Sequence, residues 1–202
     1  EVYNYSFVSA ESITGLGDDP AKYLELDNPL SKDQPFLRRH LLSKLLINIK
    51  TNIENYSEVR LFEIGKKFLP ELSGLRAKQN NDELLPREVN WLTAVFAGKK
   101  NATRDASARG GEVFGEARAA AEAMFRELNF ELKLTSPKKL APWLHPARSG
   151  DIYVGEKYVG SVFELHPKTA KNLGLDCVVA AVGLNLDELS ALAPMKKIFE
   201  PL

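Results

Sequence analysis

The sequence predicts an α+β domain, an antiparallel β-sheet flanked by helices. Segments with the pattern of strands outnumber helical segments, and hairpins dominate the second half of the chain. Only a few long helical stretches separate the strands, the clearest being residues 41–53 and 114–128. This order favours an antiparallel sheet with helices packed on it.

The first forty residues contain only short elements. Residues 2–8 alternate between aromatic and polar side chains, which predicts a half-buried strand. Ser9 is a plausible N-cap of a short helix that ends near Leu16. Residues 23–26 follow as a short strand.

The first long helix carries a wide apolar stripe. Its members are Leu41, Leu42, Leu45, Leu46, Ile49 and Ile53. Such a stripe either covers the sheet as ordinary core or packs against a partner subunit, and the spacing fits both equally. We therefore expect the isolated chain to expose part of this face and to dimerise or bind a hydrophobic dye.

Two further strands and two loops are predicted next. Residues 59–68 are apolar on both faces, which predicts a strand in the centre of its sheet. Residues 73–88 are polar and rich in turn residues, so they predict a long loop. A buried strand at 91–97 and an exposed basic loop at 98–111 complete this part.

The last third alternates hairpin strands with short helices. A helix over 114–128 is ended by Asn129, and Gly155-Glu156 form the turn of a hairpin. The other predicted elements are strands at 130–134, 151–154, 157–163 and 178–186, a helix at 166–173 and a helix after Asp187, which is its predicted cap.

Composition excludes several classes of function. Lys plus Arg and Asp plus Glu number 27 each, which argues against this domain alone gripping nucleic acid through phosphates. The single cysteine, Cys177, forbids an internal disulfide and suits a reducing, cytoplasmic location. No apolar run reaches about 18 residues, so we expect no membrane span. The chain begins at Glu1 inside a strand pattern, which indicates an excerpt of a longer polypeptide.

No metal site is predicted. His40, His145, His166 and Cys177 lack the spacing of metal ligands. His145 and His166 each precede a proline and lie on either side of a hairpin, so they could approach each other. Each imidazole is predicted to bond to the backbone of its turn, and Cys177 is predicted to pack in the core.

Two carboxylates in apolar strands must have partners if they are buried. Glu63 and Glu164 could form a paired general acid and base, but a structural salt bridge is the more common outcome. The run Arg38-Arg39-His40 is interpreted as a solvated turn or as charges that pair with a partner chain, ahead of a phosphate contact.

The loop His145-Pro-Ala-Arg-Ser-Gly150 is the most motif-like stretch of the chain. It could present Arg148 to a partner or ligand, or it could simply be a turn that feeds a hairpin strand. Both interpretations of His145 and Arg148 remain open from the sequence.

Five segments together resemble a known family. They are Leu26-Asp-Asn-Pro-Leu-Ser31, Leu37-Arg-Arg-His-Leu-Leu42, Leu61-Phe-Glu-Ile-Gly-Lys66, Leu144-His-Pro-Ala-Arg-Ser149 and Phe163-Glu-Leu-His-Pro167. In content and order they resemble the beta subunit of bacterial phenylalanine–tRNA ligase, in the part that copies the class II aminoacyl-tRNA synthetase fold. The resemblance weakens at 103–118, where the family usually shows an aromatic pair, an Asp and a Lys-Gly ahead of a helix, whereas this sequence has Val113-Phe-Gly-Glu-Ala-Arg118.

The resemblance implies a non-catalytic, class II synthetase-like module over residues 1–202. Its partner would be the alpha subunit, which holds the catalytic pocket and attaches phenylalanine to its tRNA with ATP and Mg²⁺. The resemblance therefore assigns no catalytic, cofactor or metal residue to this chain, and tRNA would be met through the whole enzyme.

Two rival functions are weighed against this module, an RNA-binding domain and a self-sufficient adenylate-forming enzyme. The basic loop has no aromatic residue to stack bases, so we expect only weak tRNA binding. Class II active sites carry Arg-x-Glu on one strand, whereas here Arg60 and Glu63 are three apart and should face opposite sides. Residues 183–189 carry acids where a second arginine would grip ATP, so we expect no activation of phenylalanine.

Overall fold

The computed structural model describes residues 1–76, 84–99 and 106–193. The helices are α1 (Ala10–Gly15), α2 (Leu42–Ile53), α3 (Ala106–Glu127), α4 (Pro167–Asn172) and α5 (Leu186–Leu192), with a 3₁₀ turn at Pro20–Lys22. The strands are β1 (Phe7–Val8), β2 (Leu24–Glu25), β3 (Phe36–Leu37), β4 (Glu58–Arg76), β5 (Leu84–Lys99), β6 (Lys133–Thr135), β7 (Leu144–Val154), β8 (Lys157–Leu165) and β9 (Cys177–Asn185).

The strands form two antiparallel sheets, which confirms the predicted α+β class. Six strands follow the order β4-β5-β9-β8-β7-β6, and a small sheet has the order β1-β3-β2. Helix α2 packs on one face of the large sheet and α3 on the other. No helix in the described part of the chain is both long and apolar enough to cross a membrane.

The predicted central position of residues 59–68 is wrong, because β4 is an edge strand. Its apolar residues on one face pack beneath α2, where Val59 is buried. On the other face Phe62 and Ile64 stay 37% and 45% exposed. The presence of apolar residues on both faces of β4 therefore does not indicate that both faces are buried.

Of the strand predicted at residues 2–8, only Phe7–Val8 is a strand in the structure. Residues 2–6 instead lie against β4 and β3 through isolated bonds, with Val2 N–H donating to Phe62 O at 2.9 Å and Arg38 N–H to Ser6 O at 2.8 Å. The Asn4 side chain turns toward Glu63 and donates to it. Both tyrosines beside Asn4 are thereby left about 80% exposed.

The apolar stripe of helix α2 packs in the chain's own core, which favours the core interpretation of the stripe over the partner interface. Leu41, Leu42, Leu45, Leu46, Ile49 and Ile53 are between 0% and 7% exposed. The sheet beneath offers an apolar surface from four strands, so the whole width of the stripe is buried. Only Ile47, outside the stripe, is substantially exposed among the large apolar residues of α2, at 47%.

Helix α3 begins at Ala106, inside the region predicted as an exposed loop. Ala117 and Ala121 are 0% and 3% exposed and let the helix lie close to the sheet. Asn129 follows it with φ 56°, which confirms its role in ending the helix. Lys100 and Arg104 of the predicted basic loop lie outside the described residues, as do residues 77–83 of the predicted loop 73–88.

Several local predictions are confirmed. Ser9 caps α1, the Gly155 turn joins β7 to β8 with φ 56°, and His166 caps α4. Asn185 rather than Asp187 caps α5, since its side chain accepts from the backbone N–H groups of Asp187 and Glu188.

Two glycines allow β8 and β9 to approach closely. A Cβ added at Gly160 would lie 2.0 Å from the carbonyl oxygen of Gly183. No side chain fits there, because backbone atoms cannot move aside as a flexible side chain can.

We predict that Gly160→Ala destabilises the chain by about 1–3 kcal/mol or more, since it forces two central strands apart. Gly115→Ala is the matched control. An added Cβ there meets nothing within 4 Å, and Ala in a helix interior is expected to stabilise by roughly 0.5–1 kcal/mol. Urea unfolding of both variants is the measurement, and equal midpoints would contradict the close approach.

Candidate functional site

One row of residues across the large sheet is polar, whereas the adjacent row of residues is apolar. The row pairs one residue from each strand and consists of Glu63, Thr93, Gly183, Ser161, Asp151 and Thr135. The adjacent row beneath α2 contains Leu61, Val95, Ala181 and Phe163. Residues two apart on a strand share a face, so this polar row lies on the α2 face, just beyond the part that α2 covers.

A cavity of about 320 Å³ lies over this polar row. Residues 40–42 at the start of α2 and the segment around Trp143 form its walls. Its remaining lining includes Lys67, Trp91, Thr93, Asp151, Tyr158, Ser161 and Gly183. A concave site with a few convergent polar groups is the usual form of a small-molecule site, so this cavity is the candidate functional site.

Trp91 lies flat against the floor because residue 183 has no side chain. A Cβ at Gly183 would sit 2.9 Å from the indole Nε1. Above the ring, Lys67 Nζ lies 3.6 Å from its centre, a cation–π contact. Burial, followed by the positive charge of Arg39, lowers the pKa of Lys67 to about 8.

His40 forms the other wall of the cavity. Its ring meets Trp143 edge to face at 4.8 Å, and its Nε2 lies 3.6 Å from a carboxylate oxygen of Asp18. Burial lowers the pKa of His40, and Asp18 opposes that shift. The pKa of Asp18 is held well below its usual range, chiefly by its contact with His40.

The acid at the edge of the polar row is already held in an ion pair. Glu63, 1% exposed, accepts from Arg38 Nη1 at 2.5 Å and from Asn4 Nδ2 at 2.8 Å. Arg38 also donates from Nε to Lys66 O at 3.0 Å. The interpretation of Arg38 as a residue of a solvated turn is therefore wrong. The structural salt bridge predicted for Glu63 is confirmed. Gly65 leaves space for the guanidinium, since a Cβ there would lie 2.2 Å from Arg38 Nη2.

Arg60 and Glu63 face opposite sides of the sheet, as their spacing predicts. The Arg60 side chain is 51% exposed and pairs with Glu58 and with Glu116 of α3. Among the described residues that line the cavity there is no arginine. Nothing in this lining matches the paired arginines of a class II nucleotide site.

The stretch His145–Gly150 is a bulged part of β7 rather than a loop. Arg148 pairs with buried Glu164, donating from Nη2 to Oε1 at 2.9 Å. His145 Nδ1 accepts from the N–H groups of Ala147 and Arg148, both at 3.1 Å, as the sequence predicted. This arrangement favours the structural interpretation of the motif, since Arg148 is bound to Glu164 and is not a lining residue of the cavity.

The two histidines that precede prolines do approach each other, with ring centres 6.5 Å apart. His166 Nδ1 accepts from Lys168 N–H, again as predicted. In the described part of the chain no three His, Cys, Asp or Glu side chains are grouped so as to hold a metal ion. Cys177 is 1% exposed in the core, where the sequence placed it.

The sequence reading missed the cavity residues, above all Lys67, Thr93, Ser161 and Asp151. A partial signal was present, because Thr93 and Ser161 each have large apolar residues two positions away on both sides of the same strand. Alternation of this kind marks a face, but register across four strands is needed to bring such residues together.

We predict that Glu63→Gln lowers the free energy of unfolding by about 3–5 kcal/mol, because it leaves the Arg38 charge buried without a counter-ion. Glu116→Gln removes the same charge from an exposed pair and should cost under about 1 kcal/mol. Urea unfolding of both variants tests this, and a similar loss in the two would refute the special role of the buried pair.

The pKa of His145 is lowered by burial and by the Arg148 charge, so the folded chain favours the neutral ring. The unfolded chain then binds more protons as pH falls below the ordinary His value, and stability should decrease in that direction. His145→Asn keeps an acceptor for the two N–H groups but cannot titrate. We expect a shallower loss of stability between pH 7.5 and 5 in this variant, with a difference of at most one bound proton. Unfolding midpoints across that range that run parallel to the wild type would contradict this.

Comparison with known proteins matches this chain to one family. The model of the phenylalanyl-tRNA synthetase beta chain CLM domain matches residues 1–186. Among curated proteins, the phenylalanine–tRNA ligase beta subunit of Streptococcus thermophilus is 30% identical over 99% of this chain and 24% of its own length. That of Syntrophus aciditrophicus is 31% identical over 95% of this chain and 23% of its own length. The chain thus spans about a quarter of the length of these relatives.

Solved structures show the same fold in distant sequences. Pyrrolysyl-tRNA synthetase from Desulfitobacterium hafniense superposes with a TM-score of 0.63 at 16% identity, over 95% of this chain and 62% of that one. A second structure of that enzyme has a TM-score of 0.64 at 14% identity. The predicted class II synthetase-like fold is confirmed by this likeness. Together with the family match, it establishes that the chain belongs to the phenylalanyl-tRNA synthetase beta chain CLM domain family.

Proposed function

We propose that residues 1–202 form one non-catalytic module of a phenylalanine–tRNA ligase beta subunit. The module holds and orients the alpha subunit, which attaches phenylalanine to its tRNA with ATP and Mg²⁺. The family match and the relatives' names support the assignment of the beta subunit. As parts of the same proposal, tRNA is bound by the whole enzyme, and the enzyme is located in the cytoplasm.

The observation that carries the non-catalytic role is the placement of Arg60 and Glu63. An arginine that faced the cavity could stabilise the charge of a transferring phosphate, which is worth roughly 10³ to 10⁵ in rate. Arg60 instead pairs with Glu116 on the opposite face, and Glu63 is bound by Arg38. The residues that a nucleotide would need are thus committed to structural pairs.

The junction of β9 and α5 also argues against ATP binding. Asp187 accepts from the backbone and side-chain nitrogens of Asn90, at 2.9 and 2.7 Å. Glu188 lies 3.0 Å from Lys157. Two acids in the first turn of α5 would repel a phosphate tail at the place where a second arginine would be needed.

A docking surface for the alpha subunit is proposed at the β4 edge of the large sheet and on the N-terminal segment that lies against it, rather than on the apolar stripe of α2. Four apolar side chains are exposed around the Asn4–Glu63 hydrogen bond, within one residue of either partner. They are Tyr3, Tyr5, Phe62 and Ile64, with exposures of 81%, 80%, 37% and 45%. Tyr and Phe are enriched at protein interfaces. The two tyrosines lie in the N-terminal segment, and the other two side chains lie on the edge strand β4.

Ile64→Glu in the full-length beta subunit tests this surface. We expect it to weaken co-purification of the matching alpha subunit at least about tenfold, since it buries a charge in the interface. Leu128→Glu is the matched control, because Leu128 is 44% exposed at the C-terminal end of α3. Equal recovery of the alpha subunit with both variants would reject the edge of β4 as the docking surface.

The non-catalytic role has its own test. The isolated chain should show no phenylalanine-dependent exchange of pyrophosphate into ATP, whereas the reconstituted two-subunit enzyme should. Exchange by the chain alone that disappears in Arg60→Ala would establish the adenylate-forming alternative instead. Selective tRNA binding by the chain alone at physiological salt would favour the RNA-binding alternative.

A further inference from the structure

None of the four residues of the proposed docking surface lines the cavity over the polar row, and this cavity has the form of a binding site. Its volume of about 320 Å³ falls at the lower end of the range for small-molecule pockets. Helix α2 covers the apolar half of this sheet face but does not extend over the polar row. The cavity is therefore open to ligands of modest size.

One end of the cavity is positive. Lys67 Nζ lies on the Trp91 ring, with Arg39 nearby. Glu71 is the acid that faces this group, but its two oxygens each accept from Arg39 at 2.6 Å. No carboxylate of the described residues lies within 4 Å of Lys67 Nζ, although the amine is largely desolvated.

The floor beside this amine carries a buried hydroxyl. Thr93 is 5% exposed, and its Oγ1 makes no hydrogen bond to any described residue. It lies two residues from Trp91 on the same face of β5, and both line the cavity. Buried polar groups nearly always have a hydrogen-bond partner, so an unpartnered hydroxyl facing a cavity points to a ligand.

The rest of the lining includes one acidic and one further basic side chain, Asp151 and Lys139. Asp151 accepts from the backbone N–H of Lys138 at 3.0 Å. Of the two lysines that line the cavity, Lys67 is the one held on the Trp91 ring.

We propose that this cavity binds a small organic anion, whose carboxylate or phosphate group pairs with Lys67 Nζ and accepts a hydrogen bond from Thr93 Oγ1. The anion replaces the counter-ion that Lys67 lacks among the described residues, and it gives the buried hydroxyl a partner. Charge-assisted bonds of this kind are about twice as strong as neutral ones. The inference is independent of the proposed docking of the alpha subunit, which lies at the outer edge of β4.

The chain's two tryptophans make the test direct, because Trp91 and Trp143 both line the cavity. Benzoate and phenyl phosphate are titrated at constant ionic strength while intrinsic tryptophan fluorescence is recorded. We expect a saturable change in the millimolar range or tighter. Comparison of the two probes decides whether carboxylate or phosphate is the preferred group.

Lys67→Met should weaken binding about tenfold or more, since it removes the charge and keeps the apolar stem. Lys66→Met is the matched control, because Lys66 pairs with Glu88 on the exposed face, and it should bind as the wild type does. Thr93→Val keeps the volume of the side chain and should weaken binding several-fold. Unchanged affinity in Lys67→Met, or no saturable signal with either probe, overturns the proposal.

The pH profile of the wild type provides a test that needs no variant. Benzoate keeps its charge above neutral pH, whereas Lys67, with a pKa of about 8, loses its proton. Because only the protonated amine attracts the anion, affinity should fall as pH rises through about 8. An affinity for benzoate that is constant up to about pH 9.5 would reject Lys67 as the anion partner.

Discussion

The buried ion pair between Arg38 and Glu63 is the contact on which the rest of the arrangement depends. It joins β4 to the segment after β3. Asn4 donates to the same carboxylate and so connects the N-terminal segment to β4 as well. Arg38 N–H and C=O also bond to Ser6 and Phe68. A charge taken this far from water is tolerated only while its partner stays in place. The small sheet and the edge of the large one are therefore held together as a unit.

This pair also determines how the α2 face of the large sheet is divided. One half is apolar and covered by α2, and the other half begins at the polar row that Glu63 opens. A polar half-face over a cavity is a common form of small-molecule site. Here three arginines near the sheet, Arg38, Arg60 and Arg148, are each bound by a glutamate. These three arginines form structural ion pairs, and the lysines that line the cavity are Lys67 and Lys139.

The amino-acid sequence by itself determined the local structure and the class of fold. Capping by Ser9 and His166, the Gly155 turn and the apolar periodicity of α2 and α3 depend on neighbours within a few residues, so pattern alone predicts them. The spacing of Arg60 and Glu63 also determined that they lie on opposite faces, because side chains alternate along any strand. The resemblance to the beta subunit family rested on short segments and held over almost the whole chain.

Only the tertiary structure decided which surfaces are buried and which residues meet. The stripe of α2 was consistent with a core or an interface until four strands were placed beneath it. Apolar residues on both faces of β4 suggested a central strand, but the order of pairing made it an edge. Lys67, Thr93 and Asp151 are separated by 26 and 58 residues along the chain, counted from their numbers. Thr93 and Asp151 lie in one row that register carries across the strands, and Lys67 reaches the same cavity from further along β4, over Trp91. Register is a property of long-range pairing that local sequence does not encode.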